Sequence, residues 1–162
     1  MSLPGLRAVD HVGVTVPSLE EGVRFYCEVL GARFLYRLGP FDSRRMPASA
    51  TGGDWSEAHV GVAGAAFSIA MLELAANLKL ELFEFGAPES RRRAPGCVAD
   101  AGPQHLALHV DDLEKAKEHL ARNGCRILAG PLVLDGPCEG IRINYCQDPF
   151  GNAIELVESS RT

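Results

Sequence analysis

The sequence contains no C-x-x-C pair, although it has five cysteines. Their odd number and irregular spacing argue against a disulfide framework or a structural zinc site and are typical of reduced cytosolic thiols. No stretch near Met1 resembles a signal peptide, and no apolar run approaches the roughly 18 residues that a membrane helix needs. We therefore expect a cytoplasmic protein with no membrane partner. The cysteines are Cys27, Cys97, Cys125, Cys138 and Cys146.

Positive charge is also scarce. The formal net charge is −5, and a nucleic-acid partner would require a basic face, so we expect none. The one basic run, Arg91-Arg92-Arg93, lies among Pro and Gly residues. We interpret it as a solvated loop, with contact to the anionic tail of a substrate as the alternative.

What the sequence does have is an internal repeat. The segment Asp10–Val16 and the later segment Gln104–Val110 each read as a strand with one histidine near its start, followed by a helical pattern. His11 and His105 are 94 residues apart (105 − 11). Two strand histidines related by a repeat suggest two halves of one metal site.

The first copy alternates apolar and polar residues from His11 to Val16, which predicts a strand. Ser18 lies three residues before Glu21, the spacing of a helix capping box, and Gly31 supplies a helix stop. The remaining strand signals are at 33–38, 66–74 and 78–85, with a looser stretch at 39–59.

The second copy repeats this order. A strand at 105–110 precedes a helix that begins at Asp111 or Asp112, and strand signals follow at 125–129, 140–145 and 152–158. We predict an α+β fold of two βαβββ modules in one compact domain. The modules are 1–85 and 104–162, joined by a linker at 86–103, and their sheets form an open barrel around a shared metal cleft.

Strand alternation places one histidine and one glutamate of each copy on the same face. Two imidazoles and two carboxylates suit a divalent first-row metal and leave room for water or substrate oxygens. An exposed sheet face with ordinary structural histidines is the alternative, but a glutamate among aliphatic residues is costly to bury unpaired. The predicted ligands are His11, Glu81, His105 and Glu155.

Other acids and histidines are weaker candidates. Glu84 is the rival to Glu81 as the carboxylate of the first module if the strand contains a bulge. His109 shares the face of His105 but has no histidine counterpart in the first copy. The others are a possible cleft acid, Glu73, and two histidines that we assign to the surface or a helix, His59 and His119.

Four motifs carry a family resemblance: Asp10–Val16, Leu80–Glu84, Gly102–Asp112 and Asp148–Leu156. With them the chain resembles the vicinal oxygen chelate superfamily, which includes glyoxalase I, methylmalonyl-CoA epimerase, extradiol dioxygenases, and fosfomycin and bleomycin resistance proteins. The resemblance covers essentially the whole chain and is more specific for fold than for reaction. By position, the family's four ligand places fall on the same two histidines and two glutamates.

The resemblance implies a glyoxalase-like enzyme that depends on a divalent metal and binds a small-molecule substrate. It would be a lyase, isomerase or epimerase that works through a metal-stabilised enolate of a carbonyl compound. The ion would be Zn, Ni, Co, Mn or Fe, and Glu155 or Glu81 would act as the base. The resemblance also implies a homodimer.

Two alternatives remain at this point. One is a protein of the bleomycin-resistance type that binds a small molecule without turnover, with Phe41 and Trp55 stacking on the ligand. The other is an extradiol-type dioxygenase, which fits less well because the iron of those enzymes uses two histidines and one glutamate. Metal content separates the enzyme from the binding protein, and the substrate itself is not readable from the sequence.

Overall fold

The computed structural model describes residues 8–48, 52–88, 105–134 and 138–159. These residues belong to two compact units, the first ending by residue 88 and the second beginning at residue 105. Each unit contains one open β-sheet and helices, so the predicted α+β class is confirmed. The part of the predicted linker after residue 88, the run Arg91-Arg92-Arg93 and Cys97 lie outside the described residues.

The first unit contains a four-stranded sheet. Its strands are β1 (His11–Thr15), β2 (Arg33–Asp42), β3 (Ala66–Leu74) and β4 (Leu78–Ala87). Their order in the sheet is β1-β4-β3-β2, and β1 runs parallel to β4. The first and last strands of the predicted module are therefore neighbours, and β4 extends two residues past its predicted end.

The helix after β1 begins as expected but ends differently. In α1 (Leu19–Arg24), the Ser18 hydroxyl accepts a hydrogen bond from the Glu21 N–H, as the capping-box spacing predicts. From Phe25 to Val29 the chain forms a π-helical turn, and Gly31 then adopts a φ of 75°. Phe25 and Tyr26, the first two residues of this turn, are both buried, and their rings meet edge to face with centroids 5.3 Å apart.

The stretch 39–59, predicted to be irregular, contains regular structure. Strand β2 continues to Asp42, a 3₁₀ turn follows at Ser43–Arg45, and α2 spans Trp55–Val60. The Asp54 carboxylate caps α2 by accepting the Glu57 N–H at 2.9 Å, and this bond, together with that from the Ser56 hydroxyl and weaker ones, lowers the pKa of Asp54 to about 2. The Pro and Gly residues of this stretch thus lie around short helical elements.

The second unit repeats the topology of the first. Strand β5 (His105–His109) leads to α3 (Leu113–Arg122), and Asp112 is the residue that caps α3. The later strands are β6 (Arg126–Ile127), β7 (Leu132–Val133), β8 (Ile141–Gln147) and β9 (Ala153–Ser159). The sheet order is β5-β9-β8-β6, with β7 also on β8 and β5 parallel to β9. Within the described residues, every helix is too short or too polar to cross a bilayer.

One face of each sheet is covered by its helix. In the first unit the fully buried side chains include Leu19 and Tyr26 from the helical segment and Leu80 and Leu82 from β4. Burying one such side chain contributes about 1.5–3 kcal/mol. The opposite face, which carries His11 in the first unit and His105 in the second, is called the ligand face below.

A second glutamate on the last strand of each unit caps the helix. The Leu19 N–H donates to a Glu84 carboxylate oxygen at 2.6 Å, and the Leu113 N–H donates to a Glu158 oxygen at 2.9 Å. A carboxylate at this place satisfies an N–H that the helix leaves unpaired and is favoured by the helix dipole. The helix of each unit is therefore capped in the same way, by a glutamate on the last strand of that unit.

Removing the cap of α1 should weaken the fold. We expect Glu84→Ala to lower the free energy of unfolding by about 1 kcal/mol, the usual cost of losing a helix cap. Glu28→Ala, at an exposed position, should change it by less than about 0.5 kcal/mol. Guanidinium unfolding followed by circular dichroism measures both, and equal values for the two variants would contradict the role of Glu84.

Candidate functional site

The first unit brings His11 and Glu81 together on its ligand face. Parallel pairing of β1 with β4 sets Gly13 opposite Glu81, so His11 is the diagonal neighbour of the glutamate. The His11 Nε2 atom lies 3.3 Å from a Glu81 carboxylate oxygen. The imidazole is 38% exposed and the carboxylate 17%, so both groups remain open to a small molecule.

The second unit repeats this pair with His105 and Glu155. Here Ala107 lies opposite Glu155, and the His105 Nε2 atom is 3.2 Å from a Glu155 carboxylate oxygen. The exposures are 39% for the imidazole and 13% for the carboxylate, close to those of the first pair. The internal repeat of the sequence is thus also a repeat of side-chain geometry.

Glu84, the rival to Glu81, lies on the other side of the sheet. It shares a face with Leu80 and Leu82, where its carboxylate binds the start of α1. The pairing of β1 with β4 is continuous from His11 to Thr15, so no bulge turns Glu84 towards His11. Glu81 is therefore the glutamate of the first unit that contacts the histidine.

Asp10 orients the imidazole of His11. The Asp10 carboxylate lies 2.9 Å from His11 Nδ1, and its other oxygen accepts a bond from the Lys79 ammonium at 2.8 Å. The bonds from Lys79 and His11 lower the pKa of Asp10, so it remains ionised. With Nδ1–H directed at Asp10, the lone pair of a neutral ring is on Nε2, facing Glu81.

The atoms in each pair fit a shared cation. An imidazole Nε2 without a proton is an acceptor, as is a carboxylate oxygen, so these two atoms at 3.2–3.3 Å can be joined by a cation, or by a hydrogen bond when Nε2 carries a proton. Two ligand atoms at right angles on an ion with bonds of about 2.1 Å lie about 3.0 Å apart, close to these separations. Imidazole with carboxylate is also a donor set that first-row divalent metals accept.

The pairs lie in different units, and each supplies two candidate ligands. Among the described residues, no group of three or more histidine, cysteine, aspartate or glutamate side chains is gathered as a metal site. The single site of four ligands therefore stays a prediction. What the structure establishes is the pairing of each predicted histidine with the predicted glutamate of its own module.

Tyr145 distinguishes the second pair from the first. It is the cross-strand neighbour of Glu155 on β8, whereas Met71 is the neighbour of Glu81 on β3. The phenol ring meets the His105 imidazole edge to face, with centroids 5.3 Å apart. Burial, followed by the charge of Glu155 and hydrogen bonding to it, raises the pKa of Tyr145. The phenol thus stays protonated at neutral pH and can donate to the carboxylate.

Sequence reasoning did not assign roles to Asp10 and Tyr145. A signal for Asp10 was present, because an aspartate directly before a strand histidine can reach the imidazole Nδ1. Gln104 precedes His105 instead, so this feature is not repeated. Tyr145 could not be found in the same way, since its proximity to Glu155 depends on the register between β8 and β9.

The weaker candidates lie elsewhere or have other partners. Glu73 receives two bonds from the Arg33 guanidinium, at 2.6 and 3.1 Å, and so is paired with a cation. His59 lies on α2 with its ring 5.1 Å from that of Trp55, and His119 lies on α3. His109 is exposed at the end of β5, on the ligand face.

The two buried cysteines of the second unit are not suited to bind a metal. Burial raises the pKa of Cys125 to about 12 and that of Cys146 to about 11. Since a cysteine binds metal as the thiolate, these protonated thiols act as small apolar core residues.

Aromatic rings extend the ligand face of the first unit away from the His11–Glu81 pair. Phe83 follows Glu81 by two residues on β4 and therefore points to the same side of the sheet. Its ring lies 5.8 Å from that of Phe85 and 6.0 Å from that of Phe67. Phe41 stacks on Trp55 at 6.0 Å and contacts Phe67 at 5.2 Å, which continues the cluster to α2.

Comparison with known proteins gives consistent results. The family model for the Glyoxalase/Bleomycin resistance protein/Dioxygenase superfamily matches residues 8–156. A 2-epi-5-epi-valiolone epimerase from Actinomyces sp is 41% identical over 158 residues, which are 96% of this chain and 81% of that protein. A probable lactoylglutathione lyase from Synechocystis sp. is 25% identical and covers 93% of this chain and 94% of its own length.

Solved structures share the fold. A glyoxalase family protein from Bacillus cereus superposes with a TM-score of 0.74 over 97% of this chain and 98% of its own. Its sequence identity is 18%, so this likeness concerns the fold alone. This fold therefore occurs among experimentally determined structures.

The contact between Asp10 and His11 predicts the tautomer of the imidazole. We expect His11 to carry its proton on Nδ1 in metal-free protein at a pH where the ring is neutral. Long-range ¹H–¹⁵N spectra distinguish the two tautomers, and the Asp10→Ala variant should lose this preference. His11 protonated on Nε2 in the wild type would contradict the orientation described for the pair.

Proposed function

The chain belongs to the Glyoxalase/Bleomycin resistance protein/Dioxygenase superfamily, and we propose that it is a divalent-metal-dependent epimerase of a small hydroxy ketone. The observation that carries this proposal is the 41% identity with a 2-epi-5-epi-valiolone epimerase over 96% of the chain. The name of that relative denotes epimerisation of a ketone. The lyase alternative has the weaker support of a relative at 25% identity.

The proposed ligand set is the two His–Glu pairs, acting on one ion. Support for it comes from the 3.2–3.3 Å separations between the imidazole Nε2 and carboxylate oxygen atoms and from the likeness of the two pairs. The exposure of both imidazoles supports access by substrate oxygens. Zn, Ni, Co, Mn and Fe all accept this donor set, so the identity of the metal is left to measurement.

A divalent cation held there would supply Lewis-acid polarisation of the substrate carbonyl. The protein must then remove the proton from the neighbouring carbon and return one to the opposite face of that carbon. A carboxylate suits the first step because it accepts a proton in a single contact. We assign this role to Glu81 or Glu155, the carboxylates of the two pairs, in agreement with the interpretation of the sequence.

The surroundings of the two carboxylates support different tasks for them. Glu155 has a phenol donor beside it, Tyr145, which fixes the position of its oxygen atoms. Glu81 is flanked by Gly13 and Met71 in neighbouring strands, and neither side chain can donate a hydrogen bond. We propose Glu81 as the carboxylate that moves to take the proton and Glu155 as the one held in place.

The homodimer, the cytoplasmic location and the absence of nucleic-acid and membrane partners are predicted from the sequence alone and stay predictions. The alternative of a binding protein without turnover is less well supported than the epimerase, because the relative with 41% identity is named for a catalytic activity. Nothing specific to this chain favours ring-cleaving oxygenation.

Metal analysis and turnover test the proposal together. We expect wild-type protein reconstituted with Ni²⁺ or Zn²⁺ to bind one ion per chain and to epimerise 2-epi-5-epi-valiolone, with solvent deuterium entering the product. His105→Ala and Glu155→Gln should each weaken metal binding by more than about tenfold, since loss even of an outer-shell partner costs 10–100-fold. Elemental analysis after dialysis measures the ion content.

His109→Ala is the matched control, because His109 lies on the ligand face of the same strand as His105. This variant should keep the metal and the activity of the wild type. Two ions per chain would contradict a shared site, and full metal content in both test variants would contradict the ligand assignment. A metal-loaded protein with no effect on the ketone would contradict the reaction.

A further inference from the structure

Gly13 occupies a position where neither the backbone nor packing requires a glycine. It lies in the middle of β1 with no positive φ, directly opposite Glu81. A Cβ atom added there would meet Phe83 Cε2 at 3.5 Å and Cδ2 at 4.0 Å, which are ordinary van der Waals distances. The matching residue of the second unit, opposite Glu155, is Ala107.

A glycine within a strand has a cost. It gains no side-chain packing and loses more conformational freedom on folding than alanine does. A strand glycine outside a bulge or bend often marks a place where a ligand or another backbone segment approaches closely. Gly13 is exposed on the ligand face, between His11 and Thr15, so the space above it is open.

The ring of Phe83 forms a wall beside this space. Phe83 is the cross-strand neighbour of Thr15, and its ring edge is the group nearest to the missing Cβ of Gly13. The ring is half-buried, and it stacks on the ring of Phe85 at an interplanar angle of 13°. Bare backbone, an aromatic surface and the His11–Glu81 pair therefore lie side by side within one unit.

We propose that Gly13 and Phe83 form a subsite for the carbocyclic ring of the substrate, which makes the substrate a cyclic rather than an open-chain hydroxy ketone. This inference rests on the proposed function, since it concerns the same substrate. A saturated ring with hydroxyl groups at its edge has an apolar C–H surface that makes van der Waals contacts with the apolar edge of the Phe83 ring. Its oxygens are then directed towards His11 and Glu81, while the ring lies against the backbone at Gly13.

A purely structural role of these residues makes a different prediction. If Gly13 were a neutral strand position, replacing it by alanine would stabilise the fold or leave it unchanged and would not affect the ligand. If Phe83 were only a member of the aromatic cluster, its replacement would cost stability in the same way as that of Phe85. The test must therefore separate stability from ligand affinity.

Two ketones separate the effects: 2-hydroxycyclohexanone, which is cyclic, and hydroxyacetone, which is open-chain. Calorimetric titration of the metal-loaded protein measures the affinity for each, whether or not turnover occurs. We expect Gly13→Ala to bind the cyclic ketone at least about tenfold more weakly than the wild type does. Its affinity for hydroxyacetone should change less than twofold, and its melting temperature should equal or exceed that of the wild type.

Phe83→Leu and Phe85→Leu form the second comparison. Both remove an aromatic ring from the same face of β4, so both should lower the melting temperature. Only Phe83→Leu should weaken binding of the cyclic ketone, again by about tenfold, with the metal content unchanged. Equal losses of affinity in the two variants would overturn the assignment of Phe83.

The outcomes for the subsite and for the proposed function are distinct. Unchanged affinity of Gly13→Ala for the cyclic ketone, an equal loss for both ketones, or no preference of the wild type for the cyclic one would overturn the subsite. Failure of the metal-loaded wild type to exchange the substrate proton with deuterium would overturn the epimerase instead. The titrations measure affinity, so they test the subsite whether or not the protein catalyses this exchange.

Discussion

Alternation of side chains along a strand is the constraint on which this structure depends. In each unit the last strand carries two glutamates three residues apart, Glu81 with Glu84 and Glu155 with Glu158. Because an odd spacing sends them to opposite faces, one glutamate meets the strand histidine and the other caps the helix. A single strand thus fixes the helix on one side and the carboxylate of the candidate site on the other.

The parallel pairing of the first and last strands completes this arrangement. His11 and Glu81 are 70 residues apart in the sequence (81 − 11), and the register of β1 with β4 makes them neighbours. The same pairing of β5 with β9 joins His105 and Glu155. The repeat preserves this frame, while Asp10 beside one pair and Tyr145 beside the other give the two pairs different chemistry.

Features that depend on local pattern could be predicted from the sequence, and those that depend on neighbours could not. Strand alternation identified both His–Glu pairs, and the capping box identified the start of α1. The choice between Glu81 and Glu84 depended on whether β4 contains a bulge, which only its pairing with neighbouring strands shows. Helix α2 escaped prediction because six residues among glycines and prolines show too little periodicity, and Tyr145 because the register between strands is a tertiary property.

The edge position of β1 also has a consequence for how the protein is made. Among the residues that the structure describes, β1 pairs with β4 alone in the first unit, and β5 pairs with β9 alone in the second. A ribosome synthesises the partner last, so each histidine strand emerges long before the strand that it pairs with. Neither His–Glu pair can therefore form in a nascent chain before the final strand of its unit has left the exit tunnel.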